Sequence, residues 1–331
     1  MTGLQRRSLL AGMAAIGGLS GGLSGGPVRA QAKPNLRFAA VFSEQDIRAS
    51  MMQRFAAAIA ADYTLQTYLG GSLFRQGTEL VAMQRNNLEM GNLAPQDISN
   101  QIPAWSIVTS AYLFRDAEHL KRVFAGDVGR ELKQMADEKL GIRVLGPTYF
   151  GARQVGLKPR RRITTPADMA GIKLRMPGGD AWQFLGQSLG ANPTPMAYAE
   201  VYTGLQSGAI DGQDNPLPNV QNMKFYEVMS QIVMTSHLVG FDLLCVTNRV
   251  WNQMSAQKQA AFQAAADAAI DWSTKEHLAR EAELVDFFRK QGLEIYEPDI
   301  AAFRTFAQQK YLASDLAKSW PPGMLDRINA L

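Results

Sequence analysis

A run of about 35 residues without glycine or proline constrains the fold of this chain more than any other segment. It begins after Ser255, a residue type that commonly caps helix N-termini, and lasts until Gly292. As one helix it would be about 50 Å long at about 1.5 Å per residue, which exceeds one domain of about 150 residues. The pattern predicts a helix that braces two lobes, or two helices with a break that the sequence does not signal. The predicted apolar side consists of Phe262, Ala266, Ile270, Leu278, Leu284 and Phe288.

Strand and helix patterns alternate in the first third of the chain. Short apolar runs predict strands at residues 36–42, 64–69 and 88–93, and helical spacing predicts helices at 47–59 and 78–87. Such alternation is typical of an α/β domain whose strands pair in parallel. We therefore expect an α/β lobe at this end of the chain.

Two later segments indicate that the chain crosses between lobes. A helical pattern at 119–140 precedes strand patterns at 142–145 and 149–157, and the last of these is expected to leave the first lobe. A strand at 231–235 and another at 242–247 suggest a return. The predicted division is lobe I at 36–150 plus 242–275 and lobe II at 151–241 plus 276–331.

The N-terminus has the pattern of a twin-arginine export signal over residues 1–32. Arg6 and Arg7 precede a glycine-rich apolar run, and an Ala-x-Ala cleavage pattern ends at Ala32. Removal of this segment, which also contains Arg29, would lower the formal charge from +4 to about +1. A nearly neutral chain gives no case for binding nucleic acid. The apolar run is too short to span a membrane, so we expect an exported protein that is not membrane-spanning.

The residues that could support catalysis or metal binding are few and scattered. His119, His237 and His277 are far apart in sequence and form no metal-ligand pair. Cys245 lies in an apolar strand pattern and is expected to be a core residue, with no second cysteine for a disulfide. Asp211 and Asp214 lack a nearby nucleophile or base. The sequence therefore predicts a protein that is not an enzyme and has no cofactor or metal.

The strongest candidate for a functional residue is Arg175, at the end of a short strand pattern that Pro177 stops. A guanidinium at the carboxyl end of a strand faces the crevice where α/β proteins bind ligands. Arg153 precedes it on a neighbouring strand pattern, and a predicted short strand at Ala209–Ile210 leads into a polar turn that contains Asn215. Because a guanidinium forms two parallel bonds to a carboxylate, these residues predict a site for a small carboxylate.

Three motifs make this chain resemble the periplasmic solute-binding subunits of tripartite ATP-independent periplasmic (TRAP) transporters. They are GIKLRMP at 171–177, LGANPTPMAYAEVYTGLQSGAIDGQDNP at 189–216 and the weaker YLFRDAEH at 112–119, and the resemblance covers about 36–320. It implies an α/β class with a two-lobed periplasmic binding protein fold, crossing strands and a long helix that spans both lobes.

The resemblance also assigns roles in ligand binding. It implies that Arg175 pairs with the ligand carboxylate, that Arg153 and Asn215 assist, and that Tyr198 packs near the ligand. In the first lobe it places Phe42, Gln76, Ala94 and Gln96 where relatives select their ligand. Relatives that bind sialic acid carry a glutamate at the position of Ala94 and an aspartate at that of Gln76, so this chain is not expected to bind sialic acid.

The function that these observations predict is capture of a small organic acid in the periplasm and its delivery to the membrane permease subunits of a TRAP transporter. A dicarboxylate, a sugar acid and a keto or hydroxy acid all fit two arginines. The protein is expected to act as a monomer. A chemosensory binding protein with the same pocket and a periplasmic hydrolase remain as alternatives at this stage.

Overall fold

A mixed sheet of nine strands runs through residues 33–331, the part of the chain that this computed structural model describes. The strands are β1 (Asn35–Ala39), β2 (Thr64–Tyr68), β3 (Met90–Leu93), β4 (Ile142–Leu157), β5 (Lys173–Met176), β6 (Asn192–Pro195), β7 (Gly212–Pro216), β8 (Gln231–Thr247) and β9 (Glu294–Tyr296). Their order is β2-β1-β3-β8-β4-β7-β5-β6, and β9 pairs with β8 outside this path. The predicted export signal, residues 1–32, lies outside the described residues.

On the main path of the sheet, parallel pairing is confined to the two flanks. β1 pairs in parallel with β2 and β3 at one flank, and β5 pairs in parallel with β6 and β7 at the other. Between the flanks, β4 and β8 pair antiparallel with each other, with β3 alongside β8 and β7 alongside β4. This arrangement, with two parallel flanks joined by long antiparallel strands, agrees with the predicted two-lobed α/β class.

Each crossing strand is one continuous element rather than the two short strands that the sequence predicted. β4 and β8 contain 16 and 17 residues and stay paired across register shifts, one of which lies between Tyr149 and Gly151. Gly151 has a φ of +121°, and a Cβ atom there would lie 2.7 Å from the Pro216 side chain and 2.8 Å from that of Glu281. Only glycine therefore fits this position without strain.

Thirteen α-helices in the described residues surround the sheet. They are α1 (Ile47–Ile59), α2 (Glu79–Gln84), α3 (Pro95–Ser99), α4 (Ala117–Ala125), α5 (Asp127–Leu140), α6 (Asp180–Ser188), α7 (Val201–Ser207), α8 (Leu217–Asn222), α9 (Asn248–Trp251), α10 (Ala256–Lys290), α11 (Ile300–Leu312), α12 (Asp315–Lys318) and α13 (Met324–Asn329). The single helix predicted at 119–140 is wrong, because the extended backbone of Gly126 separates α4 from α5.

Helix α10 confirms the prediction of one long helix and shows that the two-helix alternative is wrong. It has 35 residues, and the Ser255 hydroxyl accepts a hydrogen bond from its first turn. Phe262 packs in a core beside β1, whereas Phe288 packs in a separate core beyond β7. The helix therefore braces both ends of the sheet. Leu278, predicted on its apolar side, is instead 47% exposed.

The apolar core falls into four clusters that separate at the crossing strands. Trp105 and Phe55 mark the two clusters at the β1 end of the sheet, and Leu174 and Phe225 mark the two at the β5 end. This separation agrees with two lobes, while the predicted lobe boundaries stay a prediction. Within residues 33–331, no helix combines the length and the hydropathy that crossing a membrane requires.

Candidate functional site

A cavity lies where side chains from both ends of the sheet meet, and Arg175 on β5 forms part of its wall. Its lining consists of Val41, Arg48, Gln76, Gly77, Glu79, Asn92, Ala94, Asp97, Phe150, Arg153, Arg175, Pro177, Trp182, Tyr198, Asn215, Asn219 and Asp242. Six of the eight residues predicted to bind ligand are in this set. The structure thus brings together residues that are as far apart in sequence as Gln76 and Asn215.

Arg175 is 1% exposed and has no ionic partner among the described residues. Its Nε donates to the Met196 carbonyl oxygen at 2.8 Å, and its Nη2 donates to Gln76 Oε1 at 3.0 Å. The guanidinium carbon lies 5.8 Å from the centre of the Tyr198 ring. Burial lowers the pKa of Arg175 to about 10, so the side chain remains a cation at neutral pH.

Arg153, in contrast, is already neutralised. Its Nε donates to Asp214 Oδ2 at 2.7 Å, and its Nη2 donates to Oδ1 at 3.0 Å and to the backbone oxygen at 2.6 Å. His237 Nε2 lies 3.1 Å from the same carboxylate. Burial opposes ionisation of Asp214, but Arg153 and His237 together hold its pKa well below the usual range. Arg175 and Arg153 therefore differ in charge balance.

The segment predicted as a polar turn after a strand at Ala209–Ile210 is itself a strand, β7. It lies between β4 and β5, so Asn215 is opposite Gln154 and Gln213 is opposite Arg175. The prediction was wrong because the polar side chains of β7 bond to one another and to β4 rather than to water. Asn215 Nδ2, for example, donates to Gln213 Oε1 at 2.6 Å.

Gln76, Tyr198 and Ala94 lie in the cavity wall as the resemblance implied. Gln76 Oε1 accepts hydrogen bonds from Arg175 and, at 2.8 Å, from the backbone of Tyr198, so it connects the two ends of the sheet. The Tyr198 hydroxyl accepts a hydrogen bond from Asn219 Nδ2 at 3.0 Å. Both side chains are therefore fixed by contacts at the cavity.

Phe42 and Gln96 do not line this cavity. Phe42 is buried, and its ring packs on the guanidinium of Arg48 at 4.5 Å. Gln96 is buried in α3, and its Oε1 has no hydrogen-bond partner in the described structure. Phe42 therefore contacts the cavity wall from behind, while a role for Gln96 in binding stays a prediction.

Arg48 is a cavity residue that the sequence analysis missed. Its guanidinium bonds to Asp46 at 2.8 and 2.9 Å and to Asp242 at 2.7 Å, and Asn92 donates to the same Asp242 oxygen at 2.8 Å. The Phe150 ring lies 4.1 Å from the guanidinium on one side. One signal existed in the sequence: a cation in the first turn of α1 is electrostatically unfavourable and implies a strong partner elsewhere.

Glu79 and Asp97 are two further residues of the wall that the sequence did not indicate. Burial raises the pKa of Glu79 to about 7, although the Gly77 backbone N–H donates to its carboxylate at 2.8 Å. Burial also raises the pKa of Asp97, to about 8, with a smaller contribution from Glu79. Each lies in the first turn of a short helix, where acidic residues are common, so neither looks unusual in the sequence.

The cysteine and histidines considered for catalysis are buried in the interior of the fold. Cys245 is a free, fully buried thiol, and burial raises its pKa far above the usual range. His119, His237 and His277 are each buried at a different place in the fold. Over residues 33–331, no group of three histidine, cysteine or acidic side chains could hold a metal ion.

A buried, uncompensated guanidinium in a cavity between two α/β lobes is the arrangement expected of a binding protein for acids. The model of bacterial extracellular solute-binding protein family 7 matches residues 38–315, and the chain belongs to this family. Family members are substrate-binding components of transport.

Relatives with similar sequences agree with this family. The sialic acid-binding periplasmic protein SiaP of Vibrio cholerae is 35% identical over 214 residues, which cover 65% of this chain and 66% of SiaP. A solute-binding protein of Roseobacter denitrificans is 30% identical over 250 residues, or 76% of each chain.

Solved structures of TRAP periplasmic solute-binding proteins share the fold. One from Roseobacter denitrificans, with bound 3-deoxy-D-manno-oct-2-ulosonic acid (KDO), is 45% identical, has a TM-score of 0.89, and is matched over 90% of this chain and 99% of its own. Another from that organism, with bound L-galactonate, is 26% identical with a TM-score of 0.82 over 90% and 98%. The predicted resemblance to TRAP solute-binding subunits is therefore confirmed.

Proposed function

We propose that this protein captures a small organic acid in the periplasm through pairing of the ligand carboxylate with Arg175, and delivers the acid to the permease of a TRAP transporter. The observation that carries the proposal is that Arg175 is buried without an ionic partner among the described residues. The guanidinium is 1% exposed, yet no carboxylate of residues 33–331 forms an ion pair with it. A buried charge without a partner is unfavourable, and a ligand carboxylate would supply the partner.

The hydrogen bonds of Arg175 leave one edge of the guanidinium available. Met196 occupies Nε and Gln76 occupies one N–H of Nη2, while Nη1 makes no hydrogen bond with a described residue. The edge formed by Nη1 and Nη2 can therefore donate two parallel hydrogen bonds to a carboxylate. Lysine could not provide this geometry.

Arg153, Asn215 and Tyr198 are proposed to support this pair. Arg153 Nη1 has no hydrogen-bond partner in the described structure, so it can reach the same carboxylate while Nε and Nη2 hold Asp214. The amide nitrogen of Asn215 is bound to Gln213, which leaves its oxygen for a ligand hydroxyl. The Tyr198 ring lies beside Arg175 and can pack against the ligand.

Among organic acids, we propose a sugar acid of the KDO type as the ligand. The support is the structure with 45% identity, whose ligand is an eight-carbon sugar acid. Sialic acid is not the expected ligand, because Ala94 and Gln76 replace acidic residues that the resemblance implies for sialic acid binding.

Isothermal titration calorimetry with KDO, L-galactonate and D-glucuronate tests the proposal, with D-glucose as the uncharged comparison. We expect the wild-type protein to bind at least one of the acids and not glucose. Arg175→Met should abolish that binding, because the side chain keeps its length but loses every donor. Arg161→Met, which removes a guanidinium in an exposed loop, is the matched control and should bind as the wild type does. Unchanged affinity in Arg175→Met would refute the assignment.

Delivery to the permease requires a separate measurement. Proteoliposomes that contain the cognate membrane subunits should accumulate radiolabelled acid only when the binding protein is present outside. The Arg175→Met protein should not support uptake. Equal uptake with and without the binding protein would contradict the transport role.

A further inference from the structure

Glu79 and Asp97 form a carboxyl pair on the wall of the cavity that comes from the β1 end of the sheet. Both residues line the cavity, and Gly77 lies beside both of them. Its backbone N–H donates to Glu79 Oε2 at 2.8 Å, and a Cβ atom at Gly77 would lie 3.6 Å from Asp97 Oδ1. Arg175 belongs to the other end of the sheet. The cavity therefore has a cationic side and a carboxyl side.

These two carboxyl groups differ from every other acid at the cavity in having no basic partner. Asp46 and Asp242 are paired with Arg48, and Asp214 is paired with Arg153. No arginine or lysine in residues 33–331 forms an ion pair with Glu79 or Asp97. The side chain of Asp97 also accepts no hydrogen bond from a described residue. Asp97 thus has unused hydrogen-bonding capacity at the cavity, and Glu79, whose carboxylate is held by backbone donors, lines the same space without a cationic partner.

Asn219 provides independent evidence that a ligand with donor groups occupies this space. It lines the cavity, is 3% exposed, and uses its amide nitrogen to donate to Tyr198. Its Oδ1 is buried and has no partner in the described structure. A buried acceptor without a donor is unfavourable, and ligand hydroxyl groups would satisfy it.

The charge of the proposed ligand limits the ionisation of the carboxyl pair. A bound carboxylate on Arg175 would share a small buried space with two further carboxylates, and like charges at close range disfavour ionisation. A protonated carboxyl group can both donate to and accept from a hydroxyl group, whereas a carboxylate only accepts. Burial has already raised the pKa of Glu79 to about 7 and that of Asp97 to about 8, which makes protonation near neutral pH inexpensive.

The other titratable groups at the cavity have their own partners. Arg48 faces Asp46 and Asp242, and burial raises the pKa of Asp242 to about 6. Arg153 and Asp214 are paired, with His237 behind them, and burial lowers the pKa of this histidine. Burial raises the pKa of Tyr198 to about 12, and Arg175 stays charged. Of these groups, only Asp242 could give a competing pH dependence near neutrality.

Resting on the proposed function, we infer that Glu79 and Asp97 recognise the hydroxyl groups of the acid, and that this pair takes up one proton from solvent when the acid binds. The proton is shared within the pair and returns to solvent on release. The ligand class that follows is a polyhydroxylated acid. An acid of the same length without hydroxyl groups would leave the carboxyl side of the cavity unsatisfied.

Calorimetry of the wild-type protein with KDO tests proton uptake directly. At each pH, titrations in two buffers that titrate near that pH and differ in ionisation enthalpy, such as EPPS and Tris at pH 8.5, give the number of protons bound with the ligand. We expect about one proton at pH 8.5 and close to none at pH 5.5, and an association constant that falls by up to tenfold for each pH unit above pH 8. 2-Oxooctanoate, an eight-carbon 2-oxo acid without the hydroxyl groups, should bind much more weakly at every pH.

Amide variants test whether the pair is the source of the proton. Glu79→Gln and Asp97→Asn keep the shape of a protonated carboxyl group, so the double variant should bind KDO with no proton uptake and little pH dependence. Glu138→Gln, on the exposed side of α5, is the matched control and should keep the wild-type proton count.

The possible results separate the two proposals. Binding by the wild-type protein with no proton uptake between pH 5.5 and 8.5 would overturn the inference and leave the proposed function intact. Proton uptake that persists in the double variant would overturn it in favour of Asp242. Failure of the wild-type protein to bind any acid would refute the proposed function instead. If the amide variants do not fold, the wild-type proton count decides.

Discussion

Arg175 and Arg153 are buried arginines in the same cavity, and replacing each by methionine should change the stability of the protein by very different amounts. Burial lowers the pKa of Arg175 to about 10, which corresponds to an unfavourable contribution of about 3 kcal/mol at pH values below 10. Arg175→Met removes this cost but also removes two hydrogen bonds from a charged donor, worth about 1.5 kcal/mol each at the lower end. The two effects nearly cancel, so we expect the free energy of unfolding to change by about 1 kcal/mol or less.

Arg153→Met should destabilise the ligand-free protein strongly. Asp214 is fully buried and would lose the two bonds of 2.7 and 3.0 Å that compensate its charge, with only His237 remaining. Removal of one partner from a buried ion pair costs about 3 to 5 kcal/mol. The same substitution at these two positions thus distinguishes an arginine that is available to pair with a ligand from an arginine that stabilises the folded protein.

Urea unfolding at pH 7.5, monitored by circular dichroism without ligand, measures both changes. Arg175→Met should unfold near the wild-type midpoint, and Arg153→Met should unfold at a much lower urea concentration with a similar slope. Equal destabilisation by the two substitutions would show that Arg175 is compensated within the protein, and the reasoning for the ligand carboxylate would fail. The addition of KDO should raise the midpoint of the wild type but not that of Arg175→Met.

Two further substitutions test other features of the structure. Because the pKa of Glu79 is raised in the folded protein, the wild type loses stability as the pH rises from about 4.5 to about 7. Glu79→Gln should therefore have the same free energy of unfolding as the wild type near pH 4 and one that is higher by up to about 3 kcal/mol at pH 8, measured by urea unfolding at both pH values. A difference that does not change with pH would show that ionisation of Glu79 does not destabilise the folded protein. Gly151→Ala should lower the free energy of unfolding by about 2 to 4 kcal/mol, because its Cβ atom would meet Glu281 at 2.8 Å in a left-handed conformation. Gly171→Ala, also at positive φ but with no atom within 4 Å of the added Cβ, is the control and should cost only about 1 kcal/mol.

The features of the fold that could be predicted from the sequence are those with local signals. The absence of glycine and proline after Ser255 predicted α10, and the stop at Pro177 predicted where β5 presents Arg175. β7 could not be predicted in this way, because its buried side chains are polar and satisfy one another. A method that looks for periodic apolar residues does not predict a strand whose buried side chains are polar.

The candidate site was predictable only where one residue type has a distinctive chemistry. An arginine at a strand end near a proline stands out, and the resemblance indicated which residues would lie beside it in the site. Arg48 did not stand out, because its partner Asp242 is 194 residues away and only the folded chain joins them. Glu79 and Asp97 were missed for the opposite reason, since an acid in the first turn of a helix has an ordinary local explanation.

The pairing of Arg153 with Asp214 has a consequence for the valence of the ligand. Arg153 is balanced by Asp214, and the two aspartates beside Arg48 more than balance its charge, so Arg175 is the one cavity arginine of residues 33–331 without a carboxylate partner. A monoanion can pair with Arg175, whereas a dianion of similar size would bring a second negative charge, for which no cation is left, into a dehydrated space. We therefore expect the protein to discriminate against succinate and sugar phosphates by charge as well as by shape.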